Sequence, residues 1–141
     1  MPSSGKSTVG KFVASHFGLP LVDLDKMIVQ KEGMEITEIF KTQGEDYFRE
    51  VERDCLLHQI DSPEGFVMAT GGGAPCFFDN MDLMNSSGIT VFLEVSIEDL
   101  FNKLSAKGTN QRPLLKNLAK EELYNELQTK LKDRIGFYSK A

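Results

Sequence analysis

The feature that most constrains the fold is an alternation of short apolar runs with longer segments of helical periodicity. The apolar runs have the length of buried strands, and they predict strands at 19–25, 66–70 and 90–95. Strands that alternate with helices form parallel sheets that are covered on both faces. We therefore predict an α/β fold, a parallel sheet with helices on both faces, in one domain spanning 1–141.

The segments between these runs repeat apolar residues every three or four positions, which predicts helices. Gly18 is expected to end the first helix, and Ser96 with Asp99 forms a capping box for a later one. The segment 105–117 has few apolar residues and contains a glycine and a proline, so we predict a mobile lid there. The predicted helices lie at 9–17, 36–40, 45–60, 79–84, 97–104 and 123–131.

Composition excludes several classes of function. A net charge of −5 does not favour a nucleic-acid binder. No stretch approaches the length of a membrane span and no signal peptide is apparent, so we expect a cytoplasmic protein without a membrane partner. The two cysteines, Cys55 and Cys76, lack the spacing of a redox motif and are expected to be reduced thiols. His16 and His58 are expected to be structural.

The segment Ser4–Thr8 matches the second half of a phosphate-binding loop and leads directly into a helix. A helix N-terminus offers unpaired N–H groups and a positive dipole end to a phosphate. Gly5 lets the backbone approach closely, Lys6 reaches the β- and γ-phosphates, and the Ser7 hydroxyl can bind Mg²⁺. The alternative for so short a match is an ordinary polar turn.

Two acidic residues end the first predicted strand. Asp23 and Asp25 are two positions apart, so on a strand both point to the same side, into the crevice where α/β folds bind ligands. One carboxylate could organise the Mg²⁺ shell and the other could accept a proton from a substrate hydroxyl. The alternative for Asp25 is a cap on the following helix.

A basic residue and a glycine run are further candidates for substrate binding. Arg49 near the start of a helix can clamp a carboxylate through two parallel hydrogen bonds, and Glu52 on the same face could hold it in place. The alternative is a solvated helix charge. The second predicted strand is followed by three glycines, Gly71, Gly72 and Gly73. Such a run is expected where the backbone must approach a ligand closely or adopt a positive φ. The alternative is a flexible turn.

Two more arginines complete the set. Arg112 in the predicted lid could neutralise charge on the phosphates in the transition state. Arg134 in the last helix is a second candidate clamp for a carboxylate, with a helix C-terminal charge as its alternative.

Taken in order, these motifs resemble those of shikimate kinases: G-K-S-T at 5–8, D-x-D at 23–25, F-R-x-x-E at 48–52, T-G-G-G at 70–73, R-P-L-L at 112–115 and R-x-x-x-Y at 134–138. The resemblance implies the fold of P-loop NTPases, of the nucleoside-monophosphate-kinase type. It also implies phosphorylation of the 3-hydroxyl of shikimate by ATP with Mg²⁺, a step of aromatic amino acid biosynthesis, by a monomer.

The resemblance assigns a role to each residue. ATP would bind Ser4, Gly5, Lys6, Ser7, Thr8 and Arg112, and Mg²⁺ would bind Ser7 and Asp23. Shikimate would bind Asp25, Arg49, Gly71, Gly72, Gly73 and Arg134. Lys6, Asp25 and Arg112 would be catalytic, with Asp25 as the proposed base.

The chain departs from the family pattern at three places. Gly136 stands where the family usually has proline, which is expected to loosen a turn. The leading glycine and first strand of the phosphate-binding loop would fall before Met1, and the family continues beyond Ala141 with another strand and helix. We therefore expect an incomplete domain. The alternative functions are another small P-loop kinase, such as a gluconate kinase, and a catalytically dead kinase-like domain that only binds.

Overall fold

The first two predicted strands are confirmed as a parallel pair in a computed structural model, which describes residues 1–107 and 120–141. Strand β1 spans Leu21–Asp23 and strand β2 spans Val67–Ala69. Leu21 pairs with Val67 and Asp23 with Ala69, so the carboxyl ends of both strands lie side by side. Any ligand site at this edge of the sheet receives residues from the segments that follow β1 and β2.

The part of the chain that the structure describes also contains seven α-helices, together with a short 3₁₀ helix at Ala74–Cys76. Gly18 ends α1 in a left-handed conformation (φ 66°) as predicted, and the backbone N–H of Asp99 donates to Ser96 Oγ at 3.1 Å, which confirms the capping box. The helices are α1 Lys6–Phe17, α2 Leu24–Glu32, α3 Ile36–Thr42, α4 Gly44–Ile60, α5 Asn80–Ser87, α6 Ile97–Lys107 and α7 Lys120–Tyr138.

The prediction of a third strand at 90–95 is wrong for the described residues: this segment has no regular secondary structure. A strand needs a neighbour that pairs with its N–H and C=O groups, and the described sheet contains only β1 and β2. Val91 is 73% exposed, so its apolar side chain is not packed against the sheet. The apolar pattern alone did not reveal this lack of a pairing partner.

The prediction that the first strand reaches residue 25 is also wrong, because α2 begins at Leu24. Asp23 is the N-cap of α2, and its carboxylate accepts a hydrogen bond from the Lys26 N–H at 3.4 Å. Leu24 and Ile28, one helical turn apart, are fully buried, and this spacing was the signal for a helix. Asp25 is therefore in the first turn of a helix and does not share a strand face with Asp23.

Two apolar clusters hold the helices together. The first lies among α2, α3 and α4, and the second joins α6 to α7. Full burial of a leucine side chain is worth about 1.5–3 kcal/mol, so these clusters fix the helices that carry the site. The first cluster contains Leu24, Ile28, Ile39, Phe48, Val51, Cys55, Leu56 and Ala74, and the second contains Met1, Leu100, Leu104, Leu123, Leu127 and Tyr138.

Two further expectations concern the second half of the chain. The predicted lid at 105–117 begins too early, since residues 105–107 are the last turn of α6, and positions 108–117 lie outside the described residues. Gly136 lies within α7, so there is no turn at that position for it to loosen. No helix of the described ranges is long and apolar enough to cross a membrane.

Candidate active site

The loop before α1 is shaped like a phosphate-binding loop. Ser3 and Gly5 both have a positive φ, 54° and 95°, and no side chain caps the N-terminus of α1. The Lys6 ammonium folds back over the loop and donates to Met1 O at 2.7 Å and to Ser4 Oγ at 3.3 Å. A helix N-terminus without a side-chain cap, with a lysine over it, fits a phosphate group.

The oxygen donors predicted for Mg²⁺ fit that ion chemically. Mg²⁺ in phosphotransfer enzymes binds one or two carboxylates, substrate phosphates and water. Ser7 lies in the first turn of α1, and Asp23 ends the neighbouring strand β1. The described residues contain no cluster of three or more histidine, cysteine, aspartate or glutamate side chains suited to hold a metal without such a phosphate.

Arg49 is buried, with 7% of its surface exposed, so it is not a solvated helix charge. Its guanidinium donates to Glu52 Oε2 at 2.7 Å and to Glu45 Oε1 at 2.8 Å, which confirms that Glu52 holds it in place. The ring of Phe77 lies 4.0 Å from the guanidinium carbon. Two carboxylates and an aromatic face therefore fix the direction of this arginine.

Glu52 is the most deeply buried charged residue of the site, with 1% of its surface exposed. Burial raises the pKa of Glu52 above its usual value, and the positive charges of Arg49 and Arg134 partly offset this increase. Asp25, a like charge nearby, raises it further. Both arginines and Asp25 thus lie close enough to act on one carboxyl group.

The three glycines pack against these charged side chains. A Cβ atom at Gly71 would lie 3.0 Å from Glu52 Oε1 and 3.1 Å from Asp25 Oδ1. A Cβ atom at Gly73 would lie 2.7 Å from Arg49 Nη1, which is closer than real Cβ atoms come to other atoms. None of the three glycines has a positive φ; Gly71 and Gly73 leave room for side chains of α2 and α4, and Gly72 leaves room for the Met1 backbone.

The carbonyl of Gly72 is held from α7. Arg134 Nη1 donates to Gly72 O at 3.1 Å, and the Tyr138 hydroxyl donates to the same oxygen. Tyr138 also stacks on Phe92, with ring centroids 5.0 Å apart. Arg134 is therefore directed at the glycine turn and is not only a charge near the end of a helix.

The phosphate-binding loop and the glycine turn are adjacent. A Cβ atom at Gly72 would lie 3.2 Å from the Met1 nitrogen, and Met1 O accepts the hydrogen bond from Lys6. Arg112 lies outside the described residues, so its predicted position over the phosphates stays a prediction.

Sequence reasoning assigned no role to two further residues, Tyr138 and Phe77. Tyr138 was part of the R-x-x-x-Y motif, and its position four residues after Arg134 puts both side chains on one face of α7. The contact of Phe77 with Arg49 depends on the path of the chain after Gly73, which has no signal in the sequence.

Comparison with known proteins agrees with this geometry. The family model described as shikimate kinase matches residues 2–141. The chain is 46% identical over 139 residues to a shikimate kinase of Parabacteroides distasonis, covering 98% of this chain and 79% of the relative. It is 45% identical over 138 residues to one of Phocaeicola vulgatus, covering 98% of this chain and 78% of the relative.

Two solved structures are also similar. The crystal structure of shikimate kinase from Bacteroides thetaiotaomicron matches with a TM-score of 0.93 and 40% identity, over 99% of this chain and 78% of that one. The structure of shikimate kinase from Acinetobacter baumannii in complex with shikimate matches with a TM-score of 0.86 and 32% identity, over 96% of this chain and 73% of that one.

Proposed function

The chain belongs to the shikimate kinase family, and we propose that it transfers the γ-phosphate of ATP to the 3-hydroxyl of shikimate. The observation that carries this proposal is the adjacency of two kinds of anion site. Met1 O accepts a hydrogen bond from Lys6, and the Met1 backbone lies against Gly72, whose carbonyl accepts from Arg134. A phosphate donor on the loop and a carboxylate acceptor at the arginines would then meet.

Arg49 and Arg134 are proposed to bind the carboxylate of shikimate. Glu45 and Glu52 hold the Arg49 guanidinium in one orientation, so little side-chain entropy is lost on binding. Arg134 donates one N–H to Gly72 O, and a guanidinium has five. Binding energy at the carboxylate, which does not react, holds the acceptor hydroxyl in position for attack.

Asp25 is proposed to bind the acceptor hydroxyl and take its proton. Its carboxylate lies beside Gly71 and close to Glu52, at the carboxyl end of β1. Because Glu52 is fully buried and paired with Arg49, Asp25 is the acidic residue better placed to contact a ring hydroxyl.

Lys6, with Ser4, Gly5, Ser7 and Thr8, is proposed to bind the phosphates of ATP, and Arg112 to neutralise the phosphoryl oxygens from the lid. Ser7 and Asp23 would hold Mg²⁺, which supplies charge neutralisation on the phosphates. The chain itself contributes position and positive charge, since phosphoryl transfer needs little covalent chemistry from a protein. We propose a monomer in the cytoplasm, where ATP is available.

A coupled assay of ADP release tests the proposal, with ATP and Mg²⁺ and with or without shikimate. We expect ADP release that depends on shikimate and not on gluconate. The variant Asp25→Asn should lower kcat by about 10²–10⁴-fold, which is the usual contribution of a positioned acid or base. Release that depends on gluconate would favour another small kinase, and binding of shikimate without any turnover would favour a dead kinase-like domain.

A further inference from the structure

A polar pair outside the proposed substrate contacts holds the segment after the glycine turn. The Asn80 side chain is fully buried, and its Nδ2 donates to Ala74 O at 2.9 Å. Its Oδ1 accepts from Arg53 Nη1 at 2.7 Å. A buried amide with both ends satisfied is a rigid link, because breaking either bond leaves a buried polar group without its partner. We call Arg53 with Asn80 the brace.

The brace acts where the backbone is intrinsically loose. Three consecutive glycines have more conformational freedom than any other tripeptide, so neighbouring contacts must fix Gly71–Gly73. Ala74, fully buried, follows the last glycine and begins the 3₁₀ helix, and the Cys76 N–H donates to Gly73 O at 2.8 Å. Fixing Ala74 O therefore fixes the downstream end of the turn.

Arg53 is four residues after Arg49 on α4, so both arginines lie on one face of the helix. The Arg49 guanidinium lies against Gly73, and Arg53 reaches Ala74 through Asn80. Consecutive rings cover them: Phe77 lies 4.0 Å from the guanidinium carbon of Arg49, and Phe78 lies 5.5 Å from that of Arg53. Successive turns of α4 thus hold successive residues of the glycine segment.

Arg53 also pairs with Asp79, and this ion pair can be removed without removing the hydrogen bonds of the brace. Asp79 Oδ1 lies 2.5 Å from Arg53 Nη1, and the Asp79 side chain is 65% exposed. Asp79 makes no side-chain cap bond to α5, so Asp79→Asn removes no cap bond from that helix. Exposed ion pairs contribute little, which makes Asp79 a matched control.

We propose that Arg53 and Asn80 are positioning residues for shikimate, which they affect by fixing the Gly71–Gly73 backbone beside Arg49. This inference rests on the proposed function for the identity of the substrate. The claim that the brace fixes the glycine turn is independent of the substrate.

The kinetic test compares four variants of the protein. Asn80→Asp still accepts from Arg53 but cannot donate to Ala74 O, and Arg53→Met removes the donor. Each should raise KM for shikimate about tenfold, the effect of one buried hydrogen bond, with KM for ATP within twofold. Arg53→Lys keeps a donor and should recover part of the loss, and Asp79→Asn should leave both KM values within twofold.

A second measurement does not depend on activity. Amide hydrogen exchange over 70–79 should become faster in Asn80→Asp and Arg53→Met but not in Asp79→Asn, with exchange in α7 unchanged. Unchanged exchange over 70–79, or a lower melting temperature with both KM values unchanged, would overturn the inference. Wild-type protein without shikimate-dependent turnover would overturn the proposed function and the substrate part of this inference, whereas the exchange result would still decide the mechanical part.

Discussion

At the scale of single residues, Arg49 shows how burial changes what a charge can do. A guanidinium with 7% exposure has lost most of its water and depends on Glu45 and Glu52 for charge balance. Such a group is stable only with partners, and those partners fix its orientation. This favours a site for a planar anion that accepts two parallel hydrogen bonds.

The variant Arg49→Lys should therefore raise KM for shikimate by about 10–100-fold, because an ammonium cannot form two parallel bonds to a carboxylate. Steady-state kinetics with each substrate varied in turn would measure this. The matched control is Glu50→Gln, a charge change at an exposed position of the same helix, which should change KM less than twofold. An unchanged KM in Arg49→Lys would contradict the proposed carboxylate contact.

The raised pKa of Glu52 leads to a prediction of how the stability of the fold depends on pH. Its pKa is raised by burial, so the folded protein holds this proton to a higher pH than the unfolded chain does. The resulting stability is present below about pH 4.5, the usual pKa of a glutamate, and is lost as the pH rises through the raised value. The variant Glu52→Gln has no carboxyl group at this position, so it does not lose stability in this way as the pH rises.

The free energy of unfolding of the wild type, minus that of Glu52→Gln, should therefore decrease from about pH 4.5 towards neutral pH. Urea unfolding at several pH values would measure it. A difference that is flat or grows with pH would show that Arg49 outweighs burial in setting this pKa.

Single residues also show what the sequence could and could not predict. The spacing of Arg49 and Glu52 predicted their pairing, because residues three apart on a helix are neighbours. The burial of Arg49 was not predictable, since it depends on Phe77 and Gly73, which are brought there by the chain after β2. Local sequence patterns predict contacts within one helix or strand, but they do not predict contacts between elements that are distant in the sequence.

At the scale of elements, the glycine turn is the joint between β2 and the helices. Its residues lie against three helices: Gly71 against side chains of α2 and α4, Gly72 against α7, and Gly73 against α4. Its predicted position after a strand is confirmed. The need for glycine at these positions depends on the packing of α2 and α4 against the turn, which the sequence does not show.

Gly73→Ala tests this joint. The added Cβ would lie 2.7–3.0 Å from three atoms of the Arg49 guanidinium, so that group must move away from its present position. We expect KM for shikimate to rise by about tenfold or more, with KM for ATP nearly unchanged, as for loss of a charged hydrogen bond. Gly88→Ala is the control, since its Cβ would meet nothing within 4 Å and its φ of −179° suits any residue. Equal KM values in both variants would contradict the prediction.

The same scale explains the wrong strand predictions. Leu24 was assigned to a strand because a short apolar run is compatible with strand or buried helix; the N-cap at Asp23 and the spacing of Leu24 and Ile28 distinguish the two. The segment 90–95 has the composition of a strand, but strand formation is decided by pairing partners and not by composition.

At the scale of the whole molecule, the site joins the two apolar clusters. Arg49 and Glu52 belong to α4, which packs in the first cluster, and Arg134 belongs to α7, which packs in the second. A ligand that contacts both arginines would connect these two parts of the molecule. Binding should then stabilise the fold as a whole.

Shikimate at a hundredfold excess over its Kd should raise the free energy of unfolding by about 2.7 kcal/mol, because it binds the folded state only. Thermal unfolding followed with and without shikimate would measure the effect. Asp25→Asn should lose turnover and keep most of this stabilisation, whereas in Arg49→Lys the stabilisation should fall to about 0.4–1.4 kcal/mol at the same concentration, as a 10–100-fold weaker affinity requires. Stabilisation of equal size by gluconate would show that the site does not select shikimate, and its absence in the wild type would show that the two arginines do not form one binding site.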